Sequence, residues 1–252
     1  MSVIVYVVRD ENHSQTDHRS KIANLFSENC QIVIPDIHYK DILSEDNLPE
    51  RYEAYQIGWC LTNAHDNHES KSILIIKDSS ICQTKRNILD QVLQEVENNR
   101  NNFDVCYFGK WGDRCHLYSR RKRILDTLYD LVKTSAPQGV QAIFFSPKGR
   151  DVVLGIEPMK NGEYFRSRGS IARSLSSNIK KGNIEAYCVT PNIIHYNLRL
   201  ALKDEDYLKL NECSCVLHSD KNQSGVNRYV ALFVIIILLV IIIAAAITVY
   251  PI

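Results

Sequence analysis

The chain has 252 residues, 45% apolar and 23% charged, with 30 Lys+Arg against 29 Asp+Glu. That length suits one domain, or one domain with an appendage, and the apolar share excludes a chain too polar to bury a core. Ten Gly, seven Pro and eight Cys exclude collagen-like, low-complexity and disulfide-scaffold classes, and a net charge of +1 by itself points to no nucleic-acid partner.

In chain order, Val3–Val8 reads as a buried strand, Ser20–Ser27 as a helical stretch and Gln31–Ile34 as a short strand closed by Pro35 and Asp36. The acidic stretch Asp41–Glu53 reads as a surface loop, and Ala54–Ala64 has helical spacing. Ser72–Ile76 is a strand breaking off at Lys77-Asp78-Ser79-Ser80, and Thr84–Asn98 an amphipathic helix with Ile88, Val92, Leu93 and Val96 on one face. Phe103–Phe108 reads as a strand, Arg121–Val132 as a helix and Val140–Ser146 as a strand. Pro147–Leu154 is a short helix with Pro in its first turn, Ile171–Lys180 another helix, and Tyr187–Val189 a strand ending at Pro191. Alternating strands and helices predict an α/β fold with an open, mostly parallel sheet covered on both faces. Ligands of such sheets sit at the carboxyl ends of the strands, which is where Asp78 falls.

The C-terminal region differs in kind. Val230–Val249 holds twenty residues with Thr248 as the single polar one, enough helix to span roughly 30 Å of hydrocarbon. The expected organisation is a domain over 1–210, a juxtamembrane linker over 211–228 and a transmembrane tail anchor over 229–250. Ser2–Val8 lacks a basic flank and runs into Arg9, Asp10 and Glu11, so it does not read as a signal peptide. The expected topology therefore keeps the N-terminal domain cytosolic, with Lys221 and Arg228 flanking the span on that side. In a reducing compartment the cysteines are expected to act mostly as small buried hydrophobes, and Cys213-Ser214-Cys215 has no second pair at zinc spacing.

Several segments, in order, resemble glycosyltransferase family 25, the lipopolysaccharide and collagen galactosyltransferase-like enzymes. Tyr55–His65, YQIGWCLTNAH, is similar to that family's "GEIGCxLSH" helix, and Ile73–Ser79, ILIIKDS, falls where the family has its "ILEDD" strand and acidic pair. Phe103–Gly109, FDVCYFG, resembles "WDLLYLG"; Gly139–Leu154, GVQAIFFSPKGRDVVL, resembles "GTxAYxxSxxGAxxLL"; Tyr187–Pro191 resembles the closing strand. The resemblance spans about residues 1–200 and implies a GT-A-like, Rossmann-like fold. It also implies a nucleotide-sugar donor held with Mn or Mg at the acidic pair, here Lys77, Asp78, Ser79 and Ser80. Asp78 is then the one surviving carboxylate, a candidate metal or donor ligand, while Lys77 can serve as a point charge on phosphate and repels a metal. Where the family places an Asp before its last helix, Arg166–Arg173 carries none, and Glu163 is the nearest carboxylate. The competing reading makes Asp78 a helix cap in a degenerate site. His65 and His68 lack metalloprotease spacing and read as a solvated helix end.

Charge is segregated. Residues 1–104 hold 10 basic and 17 acidic side chains, and residues 105–200 hold 16 and 7. Arg120, Arg121, Lys122 and Arg123 form one cationic run; Arg166, Arg168, Arg173, Lys180 and Lys181 form a second group. Guanidinium forks of this kind suit sulfate, phosphate and carboxylate, or else form a solvated face. Nucleic acid is disfavoured for want of interleaved aromatics. A degenerate glycosyltransferase domain on a C-terminal anchor is similar in arrangement to poxvirus envelope proteins that bind heparan sulfate. Three expectations follow: a tail-anchored protein of a virion membrane attaching to sulfated glycosaminoglycan, an active metal-dependent hexosyltransferase, or a membrane-assembly scaffold.

Overall fold

A computed structural model describes residues 3–10, 19–37, 48–82, 84–167 and 169–196. In strand β1 (Val3–Val8) all six side chains are buried, because successive residues feed opposite faces of a covered sheet. Ile4, Tyr6 and Val8 enter one core, and Val3, Val5 and Val7 the other. The chain continues through α1 (Arg19–Ala23), β2 (Gln31–Val33), α2 (Leu48–Asn67), β3 (Ser72–Lys77), β4 (Ser80–Cys82) and α3 (Arg86–Asn98). It then forms β5 (Val105–Gly109), β6 (Ser119–Arg123), β7 (Asp130–Thr134), β8 (Ala142–Phe145), α4 (Pro147–Leu154), α5 (Ile171–Lys180), β9 (Ala186–Thr190) and β10 (Ile194–Tyr196).

Eight strands form one sheet in the order β2-β1-β3-β8-β5-β9-β7-β6, and β10 pairs with β4 separately. Helices α2, α4 and α5 cover one face through Ile57, Leu61, Val152 and Leu175. Helices α1 and α3 cover the other through Ile22, Leu89, Val92, Leu93 and Val96. The α/β class with helices on both faces stands, but the sheet is mixed rather than mostly parallel. Pairs β1–β2, β1–β3 and β5–β9 are parallel, whereas β8 is antiparallel to both neighbours and β7 to β9 and β6. Apolar runs such as AIFF encode burial but not direction, so the sequence carried no sign of this.

The largest correction concerns residues 121–132, expected as a helix and folded as the β6–β7 hairpin. Ile124, Leu125, Leu128, Tyr129, Leu131 and Val132 mimic helical spacing, yet β7 completes the sheet against β9 from Asp130↔Thr190 to Thr134↔Ala186. The turn is built locally. Thr127 Oγ1 donates to Ile124 O at 2.8 Å and accepts from Tyr129 N at 3.1 Å. Helix α2 begins six residues before the expected Ala54, inside the stretch read as a loop. The segment after Asp78 is the short strand β4, not a helix, so Asp78 caps nothing; α3 starts after Lys85 with no side-chain cap.

Helix α4 keeps its expected bounds because its signals are local. The hydroxyl of Ser146 accepts from Gly149 N, Pro147 opens the first turn, and Gly155 closes the helix at φ 72. A Cβ on Gly149 would lie 1.8 Å from the Asp104 carbonyl oxygen, so only glycine lets α4 start against β5. Cys30, Cys60, Cys106 and Cys188 are buried thiols, as expected, but Cys115 is disulfide-bonded. Among the described residues no helix is long and apolar enough to cross a membrane. The expected linker at 211–228 and anchor at 229–250 lie outside the described residues.

Candidate functional site

Strands β1, β3, β5 and β9 run in the same direction, so their carboxyl ends form one edge of the sheet. Asp10 follows β1 and Asp78 follows β3, and both are buried, at 5% and 2% exposure. The Asp10 amide donates to Asp78 Oδ1 at 2.8 Å, and the Ser79 hydroxyl donates to Asp10 Oδ2. Gln141 Nε2 donates to the hydroxyls of Ser79 and Ser80 at 3.0 and 2.7 Å. Lys77 turns to the α2 side, where its ammonium meets the Glu53 carboxylate. Burial alone would lower the Lys77 pKa, but Glu53, Asp10 and Asp78 together hold it above the usual lysine value. Gln56 closes the cluster from α2, accepting from Arg9 N at 3.0 Å and donating to Arg9 O at 2.9 Å.

The four residues expected to hold a donor are thus brought together, but turned inward. The space left among Asp10, Glu53, Gln56 and Lys77 is about 20 Å³, room for one water and not for a diphosphate. A divalent cation needs several carboxylate or carbonyl oxygens free to converge. Here one Asp78 oxygen is committed to a backbone amide, and a buried ammonium stands beside it. The residues as folded do not fit a metal–diphosphate pair, and among the described residues no group of three metal-ligating side chains occurs. Further along the edge, Lys110 is satisfied in the same manner, by Asn192 Oδ1 at 3.3 Å and the Tyr118 ring at 5.6 Å.

The basic groups fall in two places. On α5, Ile171, Leu175 and Ile179 are buried at four-residue spacing, which turns Arg173, Ser174, Ser177, Asn178 and Lys181 outward. With Met159, Glu163, Tyr164 and Arg166 they line an open cleft of about 640 Å³. Neither Arg166 nor Lys181 is ion-paired among the described residues; Arg168 lies outside them. The run Arg120–Arg123 lies on exposed β6 instead. There Arg121 and Arg123 share Asp130 at 2.9 and 3.1 Å, and Lys122 meets Glu95 at 2.6 Å. Arg120 faces a separate groove of about 670 Å³ with Arg100, Lys148 and Lys160, along with Asp104 and Glu185. His65 and His68 do not converge: His65 Nδ1 meets Asp151 at 3.0 Å, and His68 approaches Gln31.

Sequence reasoning missed Asp10, Glu53, Gln56 and Gln141. Only Gln141 left a signal, a lone amide inside the apolar run Val140–Phe145. It also missed Arg150, which is 1% exposed and pins the end of α2 through the carbonyls of Ala64, His68 and Glu69.

No protein-family model matches the chain, and no curated protein matches it. Among solved structures, A197 from STIV is similar over 75% of this chain and 81% of that one, with 14% identity and a TM-score of 0.40. A UDP-glucose pyrophosphorylase complexed with UDP-glucose aligns over 75% of this chain and 90% of its own, at 10% identity and a TM-score of 0.37. An apo UDP-glucose pyrophosphorylase aligns over 75% and 73%, at 12% identity and a TM-score of 0.33.

Proposed function

We propose that residues 1–210 are a glycosyltransferase-like domain that no longer transfers sugar and instead binds sulfated glycosaminoglycan, held on a membrane by the anchor at 229–250. The observation that carries this reading is the α5 cleft. It is large enough for a ligand and open, and it joins three cations to a row of hydroxyl and amide groups. Guanidinium groups bind sulfate and carboxylate through paired hydrogen bonds, and Ser174, Ser177 and Asn178 supply donors for sugar hydroxyls. The strand edge, where a donor would bind, contrasts with it by being filled. On a virus assembled in the cytoplasm, an anchor of this topology places the domain on the outer face of the virion membrane, where attachment to host glycans is useful.

Immobilised heparin and the full chain in mild detergent test this directly. Retention at low ionic strength that falls as salt rises is expected; no retention at low salt overturns it. The hexosyltransferase alternative draws on the adjacent Asp10 and Asp78 carboxylates, and it requires the Lys77–Glu53 pair to open. A binding heat for a uridine diphosphate sugar with manganese would favour it. Blank results in both assays leave the scaffold reading.

A further inference from the structure

The cleft beside α5 holds both signs of charge without letting them meet. Arg166 and Lys181 line it together with Glu163, and among the described residues none of the three is ion-paired. Elsewhere in the fold the cations find carboxylates: Lys77 meets Glu53, Lys122 meets Glu95, and Arg121 and Arg123 share Asp130. Opposite charges left unmatched around one open space suit a ligand that itself carries both acceptors and donors.

Glu163 is held in position by its own hairpin. Pro158 and Tyr164 form an antiparallel bridge, and Met159 N donates to Glu163 O at 2.8 Å. Gly162 makes the turn at φ 79, and Lys160 N donates to Asn183 O at 3.1 Å, which ties the hairpin to the chain after α5. Asn161 grips Glu163 twice: its Oδ1 accepts from Glu163 N at 3.2 Å, and its Nδ2 donates to Glu163 Oε2 at 2.9 Å. That leaves Oε1 to accept from a ligand hydroxyl. Tyr164 follows at once and is 55% exposed, whereas its neighbour Phe165 is buried and anchors the strand. Among the described residues Tyr164 is the one aromatic side chain lining the cleft. An exposed ring gains from covering its apolar face. A pyranose offers a face of C–H groups that fits flat against it, with hydroxyls at the rim. A bare sulfate offers no such face.

We infer that the α5 cleft contains a sugar-ring subsite: Tyr164 stacks on a pyranose face and Glu163 accepts from its free hydroxyls, beside the anion subsite of Arg166, Arg173 and Lys181. The inference deepens the glycosaminoglycan reading and rests on it. The cleft reads the sugar as well as its charge. The Glu163 carboxylate also repels a sulfate placed next to it, so the preferred glycan carries an unsulfated hydroxyl beside its sulfates.

The full chain in mild detergent is titrated with a heparin oligosaccharide and with poly(vinyl sulfate), a polyanion that has no sugar ring. Tyr164→Ala should weaken heparin binding about tenfold with its salt dependence unchanged, because no ion pair is lost, and should leave poly(vinyl sulfate) within about twofold. Tyr164→Phe, which keeps the ring, should recover most of the loss. Tyr164→Trp should give an emission that shifts with heparin and not with poly(vinyl sulfate). Glu163→Ala should tighten poly(vinyl sulfate) but not heparin, since both feel the repulsion it removes and the sugar alone uses the acceptor. Heparin that binds the parent and Tyr164→Ala equally overturns the inference and leaves the glycosaminoglycan reading standing. A loss of equal size for the two polyanions does the same. Heparin that fails to bind the parent at low salt overturns both. Should Tyr164→Ala lower the melting temperature, the Tyr164→Trp emission decides: an equal shift with both polyanions, or none with either, overturns the subsite.

Discussion

The carboxyl edge of β1 and β3 and the outer face of α5 are built from the same kinds of side chain, and they end in opposite states. At the edge, Asp10, Asp78, Lys77 and Glu53 meet one another and about 20 Å³ remains. Around the cleft of about 640 Å³ beside α5, Arg166 and Lys181 have no carboxylate partner among the described residues. Charged groups in a fold are available for chemistry only when the fold leaves them unmatched. At the edge the charges satisfy one another and serve the fold.

The sharpest way to break this contrast is to remove the cation from the sealed edge. Lys77→Ala leaves Glu53 and two buried aspartates uncompensated and should cost roughly 3–5 kcal/mol in denaturant unfolding. The double variant Lys77→Met/Glu53→Gln should recover the share due to Glu53, leaving that of the two aspartates. A Lys77→Ala protein as stable as the parent would show that the edge is not sealed by this pair.

On the open side, Arg166→Ala/Arg173→Ala/Lys181→Ala should weaken heparin binding about tenfold or more, near 1.4 kcal/mol, with a shallower salt dependence. Arg121→Ala/Arg123→Ala should weaken it far less, because Asp130 already occupies those guanidinium groups. Surface plasmon resonance at two salt concentrations separates the cases. Equal losses would remove the preference for the α5 cleft, and a larger loss from the β6 pair would place the glycan on β6.

A smaller effect is expected from His195 on β10. Burial holds its pKa below the usual histidine value, with a backbone hydrogen bond at Asn192 opposing in part. The neutral ring is favoured in the fold, so its contribution is full above the unfolded value near 6.5. It is lost as pH falls from there through the folded pKa. Thermal unfolding between pH 7.5 and 5 should show a decline that His195→Gln reduces; an unchanged slope would exclude His195 as its source. The smallest shift is expected from manganese with a uridine diphosphate sugar, which should leave the melting temperature of the full chain unmoved.

The parts of this molecule that sequence revealed are those specified by neighbours in the chain. Helix α4 came with its Ser146 cap, Pro147 and Gly155, and the core faces of β1, β3 and α3 came from apolar spacing. What stayed hidden was decided across the fold. Residues 121–132 have helical spacing and became a hairpin because β9 offers an unpaired edge. Three-residue strands such as β4 and β10 carry too few residues for any period to show. At the site, Lys77, Asp78, Ser79 and Ser80 were legible as a group at a strand end. Their burial was not, since Glu53 and Gln141 come from elements 24 and 62 residues away from their partners.

Among the described residues strand β6 is the last of the eight, paired on one side by β7 alone. Such a strand invites a strand from another molecule to add to it, and four successive cations, a left-handed Arg120 at φ 50 and a broken register between Ser119 and Lys122 all oppose that. Alanine substitution across Arg120–Arg123, the obvious probe of glycan attachment, would therefore also remove a guard against self-association. Precipitated protein would then imitate lost binding. Replacing the same four residues with glutamine removes the cations, keeps the edge polar and leaves Asp130 and Glu95 hydrogen-bond donors to face, and it is the cleaner variant to compare.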